Sequence, residues 1–191
     1  EVVKRIFINR EDIIDENISD EAEYRTYLRD ITVKEGKLVT AAKDAEAKSV
    51  YEMYYDFEEP IAKAAGYRIL AINRGEKEKV LSVKVMAPEE RILRYLEKKI
   101  IVRDNPYTTP LLQQAVEDSY KRLISGAIER EIRSDLTEQA EDGAIAVFGK
   151  NLKQLLMQPP IKGQVVLGWD PAFRTGCKLA VVDATGKVLD T

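Results

Sequence analysis

Apolar residues in the first 158 positions recur mostly three or four residues apart. This period is typical of helices that bury one face. It predicts four helical stretches: residues 2–16, Ser19-Asp20 to near Gly36, Pro88 to about Ile101, and Thr109-Pro110 to Pro159. Asp20 and Glu23 have the spacing of a capping box, which predicts that the second helix starts there.

The last of these stretches is the longest. Its apolar positions run from Leu112 to Leu156, and Pro159-Pro160 ends it. One unbroken helix of this length would measure about 70 Å at 1.5 Å per residue, which is long for a compact domain. We therefore expect a break at Gly143 or Gly149. The positions expected to face the core near the end of the stretch are Ala144, Val147, Leu152, Leu155 and Leu156.

A strictly alternating segment, Leu81–Val85, predicts a half-buried strand. The simplest arrangement pairs it with the short run Lys37–Thr40 as a small antiparallel sheet, and inserts helices over Tyr51–Gly75 between them. Pro60 is expected to open one of these helices, with a break at Gly66. The aromatic residues of segment 50–57 lie among acids, which repel phosphate, so we interpret them as core rather than as a base-stacking platform.

After residue 162 the apolar period changes to two. Segments 165–170 and 177–182, joined by the turn Pro171–Gly176, predict a β-hairpin, and Thr185-Gly186 predicts a further turn. The chain thus divides into a helical domain over 1–158 and a β-rich part over 162–191. Because its first residue is not Met and its last closely follows a turn, we expect a piece of a longer protein.

Composition narrows the possible chemistry. The chain has no His and a single cysteine, Cys177, which excludes Ser-His-Asp and Cys-His catalysis and nearly every zinc site. The lone cysteine favours a reducing, cytoplasmic location. No apolar stretch approaches the roughly 20 residues that span a bilayer, so no membrane association is expected.

The net charge of −3 conceals an uneven distribution. Residues 1–60 carry 9 Lys and Arg against 16 Asp and Glu, whereas residues 73–103 carry 9 against 5. A basic block of this kind can give weak, salt-sensitive contacts to phosphates. The candidate nucleic-acid-binding residues are therefore Arg74, Lys77, Lys79, Arg91, Arg94 and Lys98. The alternative is an ordinary solvated helix surface.

A carboxylate, Asp170, ends the apolar run 165–170. Burying an acid there is costly unless it meets a metal ion, a hydrogen-bond donor or water. In two-metal nucleases such an acid helps to hold divalent ions that activate water. The alternative is an acid that accepts hydrogen bonds from turn amides, and local physics alone favours it.

The stretch from Gly168 to Asp183 resembles the opening of a YqgF-type, Holliday-junction-resolvase-like domain, in particular the version found in the Tex family of transcription accessory proteins. Three earlier runs are similar to the same family: 68–76 leading to Val80-Leu81, 128–133, and 144–148 with 151–156. The resemblance implies a mainly α fold, with helix-turn-helix-like elements and a small β-sheet. A truncated hairpin of an RNase H-like (YqgF) domain is expected to follow.

The resemblance also implies a function: a scaffold or nucleic-acid-binding segment that contacts RNA or DNA weakly and without sequence specificity. RNA polymerase or other transcription proteins are further expected partners, and no cofactor is expected. Ala172 stands where such nucleases usually have Gly, and the family's YqgF-like domain is expected to be idle. Asp170 is then a vestige, and the chain is not an enzyme. Two alternatives remain open: a fragment of a YqgF-type nuclease, and a helical protein-interaction platform, which the acidic first 60 residues would suit.

Overall fold

The computed structural model describes residues 14–159, 161–172 and 176–191. Most of the predicted helix 2–16 and the middle of the turn Pro171–Gly176 lie outside these residues. Residues 14–20 are helical. The further helices are α1 (Ala22–Glu35), α2 (Gly66–Lys77), α3 (Glu89–Ile100), α4 (Thr109–Asp118) and α5 (Ser125–Leu156). The strands are β1 (Lys37–Ala42), β2 (Asp56–Pro60), β3 (Leu81–Met86), β4 (Val166–Asp170), β5 (Lys178–Val182) and β6 (Val188–Asp190).

The predicted fold class is confirmed, because the chain is mainly helical and has two small antiparallel sheets. The described residues form two compact units, which divide between Ala146 and Val147. Helix α5 crosses this division. The domain limits 1–158 and 162–191 stay a prediction. None of the described helices has the length and apolar character that crossing a membrane requires.

The first sheet has the strand order β2-β1-β3. The predicted antiparallel pairing of the two short runs is confirmed, with Val39 opposite Lys84. The predicted helical start at Pro60 is wrong, because Asp56–Pro60 forms the third strand. Its side chains alternate between the two faces of the sheet, with Phe57 half-buried and the acid Glu58 exposed. A short 3₁₀ turn, Ile61–Lys63, follows, and α2 begins only at Gly66.

The predicted capping box at Asp20 is also wrong. Helix α1 begins at Ala22, and its N-cap residue, Glu21, makes no side-chain capping hydrogen bond. Because residues 14–20 are already helical, the Ser19 hydroxyl donates to the Glu16 carbonyl instead. The other end was placed correctly, since α1 stops before Gly36, whose N–H donates to the Thr32 carbonyl at 2.8 Å.

Two hydrophobic clusters form the core of the helical unit. The first joins α1, α3, α4 and the first half of α5, and includes Leu28, Ile92, Leu96 and Ile132. The second joins the sheet to α2 and includes Tyr51 and Tyr54, so the aromatic residues of segment 50–57 do supply core side chains. Leu136 on α5 packs against both clusters.

Helix α5 runs without a break from Ser125 to Leu156, so the predicted interruption at Gly143 or Gly149 is wrong. A Cβ on either glycine would meet nothing within 4 Å, so neither marks a close approach of another element. The irregular part of the long tract lies earlier, in the π-helical segment Ser119–Ile124.

The side chains expected to face a core near the end of α5 are exposed. Val147 is 61% exposed, Leu152 43% and Leu156 74%, and Ala144 and Leu155 are exposed as well. The predicted helix is confirmed over this stretch, but the prediction that these apolar side chains face a core is wrong. Periodicity shows that apolar groups share a helix face and does not show that anything covers that face.

The second sheet has the strand order β4-β5-β6, all antiparallel. The predicted hairpin is present and gains a third strand after the predicted turn, where Gly186 adopts a φ of +87°. Leu167 and Trp169 on β4 are 60% and 67% exposed, so this apolar run is not buried as its sequence suggested.

Helix α2 ends in a Schellman motif with an unusual residue at its left-handed position. The Val80 N–H donates to the Gly75 carbonyl and the Lys79 N–H to the Glu76 carbonyl, at 3.0 and 2.9 Å. Lys79 takes the left-handed conformation, with φ = +63°. Glycine usually occupies this position because it has no Cβ to clash there.

We therefore expect Lys79→Gly to raise the free energy of unfolding by about 1 kcal/mol, because it removes the left-handed strain. Lys77→Gly is the matched control. It removes the same side chain within the helix and should lower stability by about 1 kcal/mol. Urea unfolding followed by circular dichroism measures both changes, and equal effects of the two variants would contradict the assignment.

Candidate nucleic-acid interface

The six basic candidates fall into two groups at opposite ends of β3. Arg74, Lys77 and Lys79 lie in and just after the last turn of α2, before the strand begins. Arg91, Arg94 and Lys98 lie on α3, after it ends. The six residues of β3 span about 20 Å at 3.3 Å per residue. The structure therefore brings together each group of three and separates the two groups.

The α3 group shares one helix face, but carboxylates already engage two of its members. Arg91 Nη1 lies 2.6 Å from Glu35 Oε1 on α1, and Arg94 Nη2 lies 3.7 Å from Glu90 Oε2. Each pair offsets local positive charge that a phosphate would otherwise meet. Lys98 makes no ion pair within the described part of the chain. This face offers less free charge than its sequence suggests.

The group at the end of α2, which we call the α2 cationic end, is Arg74, Lys77 and Lys79. All three side chains are exposed, and none forms an ion pair with a described residue. Cations in the last turn also interact favourably with the negative end of the helix dipole, so part of their role is structural. Glu78 is the acid within the group. Burial, and then hydrogen bonding to Glu78, raise the pKa of Tyr51, while Arg74 opposes this shift.

Lys43, which is not among the six candidates predicted from sequence, lies beside the α2 cationic end. The Lys43 N–H donates to the Val80 carbonyl at 2.9 Å, which places this exposed lysine next to Lys79. It stands more than thirty positions earlier in a segment with Asp44 and Glu46, so a count of charges along the chain could not group it with α2. Only the β1–β3 pairing brings it there.

A tyrosine cluster links α1 to α3 near the other basic group. Tyr27 and Tyr95 stack with ring centroids 3.7 Å apart, and the Lys99 ammonium lies 5.8 Å from the Tyr95 centroid. Lys99 also pairs with Glu23 at 2.7 Å. The hydrogen bond between them lowers the pKa of Glu23 and raises that of Lys99. The Tyr27 and Tyr95 rings thus already contact each other, and Lys99 of the protein lies near the Tyr95 ring.

Asp170, the vestigial nuclease candidate, lies at the end of β4 and is exposed. Its strand partner is Lys178 on β5. Water reaches this side chain, so the cost of burying an acid does not arise at Asp170. No cluster of three or more potential metal ligands occurs among the described residues.

The carboxylate of Asp183 has a clear structural role in the same sheet. It accepts hydrogen bonds from the Thr185 N–H at 2.8 Å, the Thr185 hydroxyl at 2.7 Å and the Lys187 N–H at 3.0 Å. The Thr185 hydroxyl, followed by the backbone amides, lowers its pKa. Asp183 thus organises the turn between β5 and β6 and is not available as a free metal ligand.

We expect Asp183→Ala to loosen this turn. The folded-state pKa is depressed, so the stabilisation is fully present above the ordinary value of 3.8 and is lost as the pH falls through the folded pKa. The protection factors of the Gly186 and Val188 amides should therefore fall at neutral pH in the variant, and in the wild type once the pH drops through the folded pKa. Asp170→Ala is the matched control and should leave these amides unchanged.

Comparison with known protein families gives two matches along the chain. A family model described as Tex central region-like matches residues 9–148. A second, described as the Tex protein YqgF-like domain, matches residues 164–191. The first match alone covers more than half of the chain.

Individual relatives agree with these matches. The chain is 56% identical over 180 residues to the uncharacterised Bacillus subtilis protein YdcI. The aligned region covers 93% of this chain and 25% of YdcI. It is 34% identical over 187 residues to the transcriptional accessory protein Tex of Neisseria gonorrhoeae, covering 94% and 25%. It is 34% identical over 171 residues to the human S1 RNA-binding domain-containing protein 1, covering 85% and 17%. The chain thus spans about a quarter or less of the length of these relatives.

Proposed function

Because this chain belongs to the Tex family, we propose that it is a scaffold and nucleic-acid-binding segment of a transcription accessory protein. The α2 cationic end makes the phosphate contacts. The observation that carries this proposal is that Arg74, Lys77 and Lys79 are exposed together without an ion pair to any described residue. Family membership supplies the nucleic-acid context.

The names of two relatives support this context. One is called a transcriptional accessory protein and another an S1 RNA-binding domain-containing protein. On this proposal the chain works in the cytoplasm beside RNA polymerase or other transcription proteins. We assign its helix-turn-helix-like elements to α3 and α4, although residues 101–108 make a longer connection than the usual three or four residues.

The proposed binding is independent of sequence. Lysine and arginine on flexible side chains contact phosphates, which are the same in every nucleotide, whereas sequence is read from base edges. A few such contacts give dissociation constants of roughly 10⁻⁴–10⁻⁶ M that weaken as salt rises. We expect RNA and DNA single strands of different sequence to bind this chain with similar affinity.

The triple variant Arg74→Glu, Lys77→Glu, Lys79→Glu tests the interface. It should lower affinity for labelled oligouridine about tenfold or more at low salt. The slope of log K against log salt should fall by about 2, because each lost phosphate contact removes roughly 0.7 for a single strand. Fluorescence anisotropy over a salt series measures both.

The matched control is Lys150→Glu, Lys153→Glu, Lys162→Glu, which changes the net charge equally. These lysines are exposed and form no ion pair with other described residues. If both triple variants lose affinity equally, the effect is one of overall charge and the α2 cationic end is not the interface. Wild-type binding by the α2 variant would also refute the site.

We further propose that the chain is not an enzyme. The exposed position of Asp170 opposite Lys178 supports this, because a lone solvated carboxylate cannot hold the two metal ions that such nucleases use. We expect no Mg²⁺-dependent cleavage of a labelled four-way DNA junction by the wild type or by Asp170→Asn. Cleavage by the wild type that Asp170→Asn abolishes would establish the nuclease alternative.

A further inference from the structure

Helices α2 and α5 pack side by side and run in opposite directions. A Cβ on Gly66 would lie 3.3 Å from the Ala140 Cα, so the helices approach closely at the start of α2. Further along, Asn73 Nδ2 donates to Thr137 Oγ1 at 2.8 Å, and Glu76 meets Arg133. As residue numbers increase along α2, the residue numbers of their partners on α5 decrease. The end of α2 therefore lies toward the N-terminal side of α5.

An open groove of about 580 Å³ follows this contact. The residues that line it are of polar or charged types and include Asn73, Glu76, Arg130, Arg133, Ser134 and Thr137. The two acids that α5 contributes to the lining, Glu138 and Glu141, lie toward the start of α2. The two arginines lie toward its end. The groove is thus acidic at one end and basic at the other.

Arg133 neutralises Glu76, the acid that lines the basic end of the groove. Its guanidinium contacts both carboxylate oxygens of Glu76, one of them at 3.0 Å, and lies 3.4 Å from Asn73 Oδ1. Its side chain is only 25% exposed. Arg133 is therefore committed to holding α2 against α5, and the charge of Glu76 is offset within the protein.

Arg130, in contrast, does not hold α2 against α5. It is exposed and forms no ion pair with any residue that the structure describes. Its guanidinium extends back along α5, so that a Cβ on Gly126 would lie 3.5 Å from Nη1. This direction is usual for helix side chains, which tilt toward the N-terminus. It carries the charge toward the end of the groove at which α2 stops.

We propose that Arg130, with Lys77, forms a subsite for one backbone phosphate of a single-stranded nucleic acid. Arginine supplies several donors in a planar fork suited to phosphate oxygens. Lys77 adds a cation from α2, one turn after Asn73, which donates to Thr137 of α5. Glu138 and Glu141 repel phosphate from the other end. The subsite rests on the proposed function and extends the α2 cationic end onto a second helix.

Arg130→Gln tests the subsite without touching the α2 cationic end. We expect affinity for labelled oligouridine to fall about threefold, the size of one exposed ion pair, and the salt slope to fall by about 0.7. Arg130→Lys should keep most of the slope because it keeps the charge. Arg103→Gln is the matched control: Arg103 is exposed on the connection after α3, and its loss should leave the slope unchanged.

The outcomes separate this subsite from the wider proposal. If Arg130→Gln binds like the wild type while the triple variant at the α2 cationic end loses affinity, the subsite is refuted and the proposed function stands. If no variant differs from the wild type, or the wild type does not bind, both fail. Inorganic phosphate replaces chloride at equal ionic strength in a final arm. Competition with RNA beyond the ionic-strength effect that Arg130→Gln abolishes would support the phosphate subsite, and competition that Arg130→Gln leaves unchanged would overturn it.

Discussion

The two hydrophobic clusters of the helical unit share one face of α5. Ile128 and Ile132 enter the first cluster, Ala140 enters the second, and Leu136 packs against both. Burying one side chain of the size of Ile132, which is 1% exposed, contributes about 1.5–3 kcal/mol. Elements far apart in sequence are thereby fixed against one helix. The positions of α2 and of its cationic end follow from this packing.

Polar contacts along α5 set the register of the same packing. The Glu129 carboxylate accepts a hydrogen bond from the Val85 N–H at 2.9 Å, which satisfies a donor on the open edge of β3. Arg25 of α1 pairs with Glu131 at 2.8 Å, and Arg133 holds Glu76 on α2. Each exposed pair alone contributes little. Together with the apolar face they give every neighbouring element one preferred position.

Much of the helical unit could be predicted from sequence because the spacing of apolar residues reflects which face of each element is buried. Amphipathic period and backbone breakers placed α3, β3 and the end of α1 at Gly36. Strand β2 was missed because Pro60 and its acids resemble a helix start. Its strand character comes from pairing with β1, which is a tertiary contact. The continuity of α5 past Gly143 was missed for a related reason, since the cost of about 1 kcal/mol for a helical glycine does not end a long helix.

The candidate site was predictable only in part, because charge along a chain is not charge on a surface. Glu35 and Glu23, from the acidic first 60 residues, lie against Arg91 and Lys99 of the basic block. The two sequence blocks thus partly neutralise each other, and the α2 end keeps its free cations. Lys43 lies beside the α2 cationic end because β1 pairs with β3.

A weak interface of this kind suits a chain that spans about a quarter of the length of such relatives as the Neisseria gonorrhoeae Tex protein. Relatives such as the Neisseria Tex protein extend well beyond the matched region. When two binding modules share a chain, the second contact becomes intramolecular, with an effective concentration that reaches the millimolar range for short linkers. Contacts with dissociation constants of roughly 10⁻⁴–10⁻⁶ M are then largely occupied once another module is bound. On the proposed function, the α2 cationic end needs only to be exposed and correctly oriented, which are the two properties that its packing against α5 provides.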